Sequence, residues 1–196
     1  MILGYHVILT YYCFWLPNDP RGSWSNFVGS WELLRFGPAT TVTARRSHAA
    51  DPHDHRRRLE AKTALKRPPI VLSGEQCWSV AKGFEYCLNR DGVACHALAV
   101  MPEHTHLVLA RHDRRCEETM KRLKSAVGKR LRLDGRHPLG EDEDVKLFAR
   151  GGWKVFIDSD RQMASACSYV RRNPDKEGLP EQTWRFVTPY RGTSAH

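Results

Sequence analysis

"VACHALAVMPEHTHLVLA", residues 93–110, holds two short apolar runs, "VACHALAVM" and "HTHLVLA", parted by Pro-Glu. Each run has strand length and a turn signal at its boundary, so the stretch is predicted to be an antiparallel pair. Alternation then puts His104 and His106 on one face of the second strand and Thr105 on the other. Two imidazoles side by side on a sheet face can share a metal ion. They can also be accidental neighbours satisfied within a core, and ten histidines in 196 residues make one H-x-H unsurprising. Glu103 alternates away from the pair and reads as a turn residue.

Upstream, "SGEQCWSVAKGFEYCLNRDG" opens with Ser73 as N-cap and closes at Gly92, with Cys77, Val80, Ala81, Phe84 and Leu88 at helical spacing. Downstream, Met120, Leu123, Val127 and Leu131 form the stripe of a second helix. Lys121, Arg122, Lys124, Lys129, Arg130 and Arg132 crowd its other faces. "WKVFIDS" is a further strand, "DRQMASACSYVRRNPDKEGL" a helix stopped by Pro174, and residues 2–12 the first strand. "TWRFVTPY" offers an edge strand. This order predicts an α+β fold of ferredoxin-like (RRM-like) type: an antiparallel sheet with helices on one face, plus the C-terminal helix. The opposite sheet face is then expected to be open to a ligand.

The chain is read as one domain, residues 1–196, with a long insertion at about 13–73. The insertion has no clear period and carries eight lysines and arginines against three acids between Arg45 and Arg67. It is either packed by Trp15, Trp24, Trp31 and Phe36 or partly a mobile arm, with a short helix around "DHRRRLEAKTALK". A chain of 22.5 kDa that is 41% apolar and 27% charged has a soluble globular composition. Its 31 basic residues against 22 acidic ones give a charge of +9, which points to a polyanionic partner, nucleic acid first. An ordinary basic surface is the plainer explanation, and a membrane partner lacks a basic amphipathic helix with bulky anchors. Six cysteines without a CxxC pair suit a reducing compartment, and with neither a leader nor a membrane span in view the expected location is the cytoplasm.

In the last helix, Met163, Ala166, Cys167 and Val170 share the predicted buried stripe. On a wheel of ~100° per residue, Tyr169 and Asn173 fall about 240° and 280° round from Met163, one turn apart at the stripe's margin, with Gln162 on the same line. Taken alone, Tyr169 is an ordinary packing tyrosine with its hydroxyl in water.

The blocks "MPEHTHLVLA" and, some sixty residues on, "SYVRRNPDKEGL" together resemble the two signature blocks of the HUH single-tyrosine transposases, closest to the REP-associated tyrosine transposases. Family members show blocks like "MPNHVHLL" and "YIHxNPVxAGL". Thr105 stands where a hydrophobic residue is usual, while Tyr169, Asn173, Pro174, Gly178 and Leu179 match. The opening "GYHVILTYY" is also similar to the family's first strand, whereas residues 13–73 are longer than in compact members. The resemblance implies that His104, His106 and Asn173 hold a divalent metal, Mg²⁺ or Mn²⁺, and that Tyr169 is the nucleophile of a 5′-phosphotyrosine intermediate.

It further implies a single-stranded DNA endonuclease and strand-transferase cutting near hairpins. Lys121, Arg122, Lys124, Lys129, Arg130, Arg171 and Arg172 are the expected DNA contacts. For each of them singly, a solvated face is the plainer reading. Monomer and homodimer both remain open. Two alternatives stand beside the enzyme: a DNA- or RNA-hairpin-binding regulator whose chemistry has lapsed, and a cupin-like metalloenzyme, which needs many more strands.

Overall fold

The structure, a computed structural model, describes residues 1–12, 31–36, 55–65, 69–140, 146–149 and 151–192. Two compact units divide the chain: Met1–Tyr11 with Val71–His196, and Tyr12–Ile70. In the second unit a 3-10 turn covers Trp31–Phe36 and helix α1 covers His55–Thr63, within the stretch read as a short helix. The ends of that unit meet where Ile70 donates to the Tyr12 carbonyl at 3.3 Å. Trp15, Trp24 and the acidic stretch 141–145 lie outside the described residues.

The first unit holds β1 (Gly4–Thr10), α2 (Gly74–Asp91), β2 (Cys95–Val100), β3 (His104–Ala110), α3 (Cys116–Leu133), β4 (Trp153–Ile157) and α4 (Asp160–Lys176). The four strands form one antiparallel sheet in the order β2-β3-β1-β4, so the first and third strands are central, as the ferredoxin-like reading requires. Local chemistry accounts for the helix ends. Ser73 and Gln76 form a reciprocal capping box at the start of α2, and Gly92 closes it at φ 67°, a left-handed turn that glycine takes without strain. Val80, Ala81, Phe84 and Leu88 of α2 are buried, as are Met120, Leu123, Val127 and Leu131 of α3.

The expectation of an open sheet face is corrected here. Helix α4 lies across it, packing Met163, Cys167 and Val170 onto Ala97, Ala99, Val108 and Ile157. An apolar stripe of that size is not left to water, and the two alanines of β2 make room for it. Gly4 serves the same contact: a Cβ there would collide with the Leu109 carbonyl oxygen and sit 2.6 Å from Met163 Cε. We expect Gly4→Ala to cost about 1–3 kcal/mol by forcing β1 off the β3 backbone at Leu109, read as a lowered denaturation midpoint with unchanged m-value.

Two local expectations are also corrected. Pro174 does not stop α4, which runs on to Lys176. The proline sits in the last turn, where it forgoes a single bond to the preceding turn and only two helical residues follow, and Leu179 N–H donates to the Pro174 carbonyl at 2.8 Å as Gly178 (φ 67°) turns the chain out. "TWRFVTPY" is not a regular strand. It follows the edge of β2 with a single bridge, Val187 to Cys95. Gln182 takes the ladder's place at Val100, its Oε1 accepting from the N–H and its Nε2 donating to the carbonyl, both at 2.8 Å. Pro189 lacks the donor needed to extend the pairing.

Candidate active site

The register of the two central strands assembles the site. On β1, Gly4, His6, Ile8 and Thr10 share a face; opposite them on β3 stand Ala110, Val108, His106 and His104. His104 and His106 therefore point the same way, as alternation predicts, and their ring centroids are 4.8 Å apart. Thr105 faces the other layer, fully buried, its hydroxyl donating to the Leu9 carbonyl at 3.3 Å.

Sequence reasoning missed His6. It lies on the neighbouring strand diagonally from His106, and the two rings stack at 5.3 Å with Nε2 of His6 3.0 Å from Nδ1 of His106. The only sequence signal was a histidine at an alternating position of the first strand. Burial pushes His6 down to about 4. Burial, reinforced by the neighbouring His104 and His6, holds His106 well below the ordinary imidazole range. Both rings are thus neutral at pH 7, with lone pairs to offer.

Helix α4 brings its margin over this group. The Tyr169 ring stands edge-on to His106 at 5.7 Å and to His6 at 5.9 Å, while Lys176 Nζ lies 4.8 Å from its centroid. Tyr169 is 42% exposed although its helix is packed down, so a bulky substrate can reach the phenol. One turn on, Asn173 is only 8% exposed. Its Nδ2 is buried without a hydrogen-bond partner among the described residues. A buried polar atom left in this state is costly, and an acceptor at the site, such as a phosphate oxygen, would relieve it.

The donor set suits a hard-to-borderline divalent cation: two imidazoles on one strand face and a buried carboxamide beside the phenol. Among the described residues no group of three or more His, Cys, Asp or Glu side chains is placed to hold a metal. The three histidines therefore do not converge on one point, and His6 is spent on His106. A cation held by His104, His106 and Asn173 would keep positions open for phosphate oxygens.

The basic residues divide into two groups. Arg122 is bidentate to Asp91, Nε to Oδ2 at 2.7 Å and Nη2 to Oδ1 at 2.8 Å. Lys124 donates to the Ala149 and Gly151 carbonyls, and burial pushes it down to about 8. Arg130 pairs with Asp134 at 2.8 Å. Lys121, Lys129, Arg171 and Arg172 are exposed, and the last two follow Tyr169 on α4. No helix among the described residues is long and apolar enough to cross a membrane.

No family model and no curated protein matches the chain. Solved structures do. The chain is similar to a REP-associated tyrosine transposase bound to a REP hairpin, at 12% identity and a TM-score of 0.49, over 94% of this chain and 74% of that one. It is also similar to a candidate transposase from Deinococcus radiodurans R1, at 15% identity and a TM-score of 0.43, over 87% of this chain and 89% of the other. At such identities side-chain roles do not transfer from one chain to another.

Proposed function

We propose that this chain is a metal-dependent single-stranded DNA endonuclease and strand-transferase of the HUH tyrosine transposase type, cutting near hairpins. One observation carries the reading: an accessible phenol on α4 stands within 6 Å, ring centre to ring centre, of the imidazole that shares a strand face with His104. Nothing in the packing of α4 requires a tyrosine there, since Met163, Cys167 and Val170 make the seat.

In this reading the Tyr169 oxygen attacks phosphorus, forming a phosphotyrosine bond to the 5′ side while the bond to the 3′ oxygen breaks. The phenol gives its proton to water, and the departing 3′ oxygen takes one up. The ester keeps the bond energy, so a 3′-hydroxyl can reverse the step and join strands without a nucleotide cofactor. His104, His106 and the Asn173 carboxamide would hold Mg²⁺ or Mn²⁺, which supplies Lewis-acid polarisation of the scissile phosphate when bound. Helix α4 holds the phenol at the imidazoles and so pre-orients it. Arg171, Arg172, Lys121 and Lys129 are the proposed phosphate contacts. Arg122, Lys124 and Arg130, engaged within the fold, are weaker contributors.

The test is incubation with a library of hairpin oligonucleotides and Mn²⁺, scored for a protein–DNA adduct that survives denaturing electrophoresis. Chelator, or His104→Ala, is expected to lower adduct formation by at least about 100-fold while hairpin affinity changes by less than about threefold. Tight, chelator-insensitive hairpin binding with no adduct would instead assign a binding module.

A further inference from the structure

We propose that His6 is a positioning residue: it accepts the Nδ1–H of His106 and so leaves the Nε2 lone pair of His106 for a cation. The inference rests on the metal reading of the site above. Two imidazoles 3.0 Å apart through Nε2 of His6 and Nδ1 of His106 share one proton between those atoms, and a ligand imidazole carries no second one. If His6 were the donor, the single proton of neutral His106 would sit on Nε2, and that ring could not be a ligand. If His106 is the donor, its Nε2 is open and His6 carries its own proton on Nδ1. Only the second arrangement is compatible with His106 beside His104 as a ligand pair, and it is the usual outer-shell device that fixes a ligand histidine's tautomer and ring angle.

The geometry gives His6 a second contact. The same ring that stacks on His106 at 5.3 Å meets Tyr169 edge-on at 5.9 Å. One side chain on β1 thus touches both the ligand ring on β3 and the nucleophile on α4.

The experiment reads the tautomer directly, by long-range ¹⁵N–¹H correlation on ¹⁵N-histidine-labelled, metal-free protein at pH 7.5. His106 is expected in the Nδ1–H form and His6 in the Nδ1–H form. His106 found protonated on Nε2 overturns the proposal whatever the protein does to DNA. A second measurement follows Mn²⁺ binding by electron paramagnetic resonance. His6→Leu, which fills the space without an acceptor, should weaken Mn²⁺ by about 10–100-fold. His6→Gln, whose Oε1 reaches about as far as the lost Nε2, should recover most of that loss. Equal Mn²⁺ affinity in wild type and His6→Leu also overturns it. Failure of the metal reading looks different: His104→Ala then leaves Mn²⁺ binding unchanged, while the His106 tautomer still reports on His6.

Discussion

Tyr169→Phe is expected to abolish the covalent adduct, a loss of at least about 10³-fold, and to leave the protein folded and its hairpin affinity within about twofold. The substitution removes one oxygen and keeps the ring. The ring makes the contacts: edge-on to His106 and His6 and beneath Lys176. A phenylalanine retains all three, and an exposed hydroxyl carries little stability, so the melting free energy should stay within about 0.5 kcal/mol. The measurement is denaturing electrophoresis of protein mixed with a 5′-labelled hairpin, beside a binding isotherm in chelator. An adduct of wild-type yield in the variant means that another nucleophile does the work and removes Tyr169 from the site. Loss of hairpin binding along with the adduct would mean that the phenol grips DNA rather than attacking it. Tyr169→Ala is the poorer test, because it also empties the seat between the imidazoles and Lys176.

Periodicity made α4 legible, since Met163, Cys167 and Val170 repeat at helical spacing and are buried where that spacing puts them. What that stripe packs on was not legible. An apolar face states a need for cover without naming the partner, and the small Ala97 and Ala99 acquire meaning only once β2 is known to lie beneath. His104 and His106 came from a local rule, strand alternation. His6 depends on a register between strands a hundred residues apart, with His106 opposite Ile8, and no local pattern encodes that offset. Proline's general habit of ending helices places the stop at Pro174, yet its fixed φ is itself helical, and α4 runs two residues further at the loss of one bond. The basic face of α3 shows the same boundary between local and distant information. A run of lysines and arginines reads alike in sequence whether it meets water, phosphate or a carboxylate. Arg122 meets Asp91, which lies 31 residues away.

That carboxylate sets the largest expected stability effect. Asp91 ends α2, where the helix dipole disfavours a negative charge, and its side chain is only 3% exposed. Three guanidinium groups compensate: Arg122 with two hydrogen bonds, Arg90 at 2.8 Å and Arg114 at 3.2 Å. Hydrogen bonds from Arg122, then Arg90, hold the carboxyl well below its usual range. Asp91→Ala should cost about 2–3 kcal/mol, at the low end for a broken buried network because Arg90 and Arg122 can turn partly to water. For a chain of this size that is a fall of roughly 5–10 °C in Tm. The pH dependence follows from the lowered pKa. The unfolded chain protonates Asp91 near 3.8 while the native one resists, so this stability is complete above about pH 5 and drains away as the pH falls below that. Asp91→Asn should flatten that acid limb, measured by urea melts between pH 3 and pH 7. Arg122→Ala should lower stability alongside Asp91→Ala and leave the salt dependence of hairpin binding unchanged. Should it instead preserve the melt and reduce the salt slope by about one, Arg122 exchanges its carboxylate for a DNA phosphate, and the network is a reserve of binding charge.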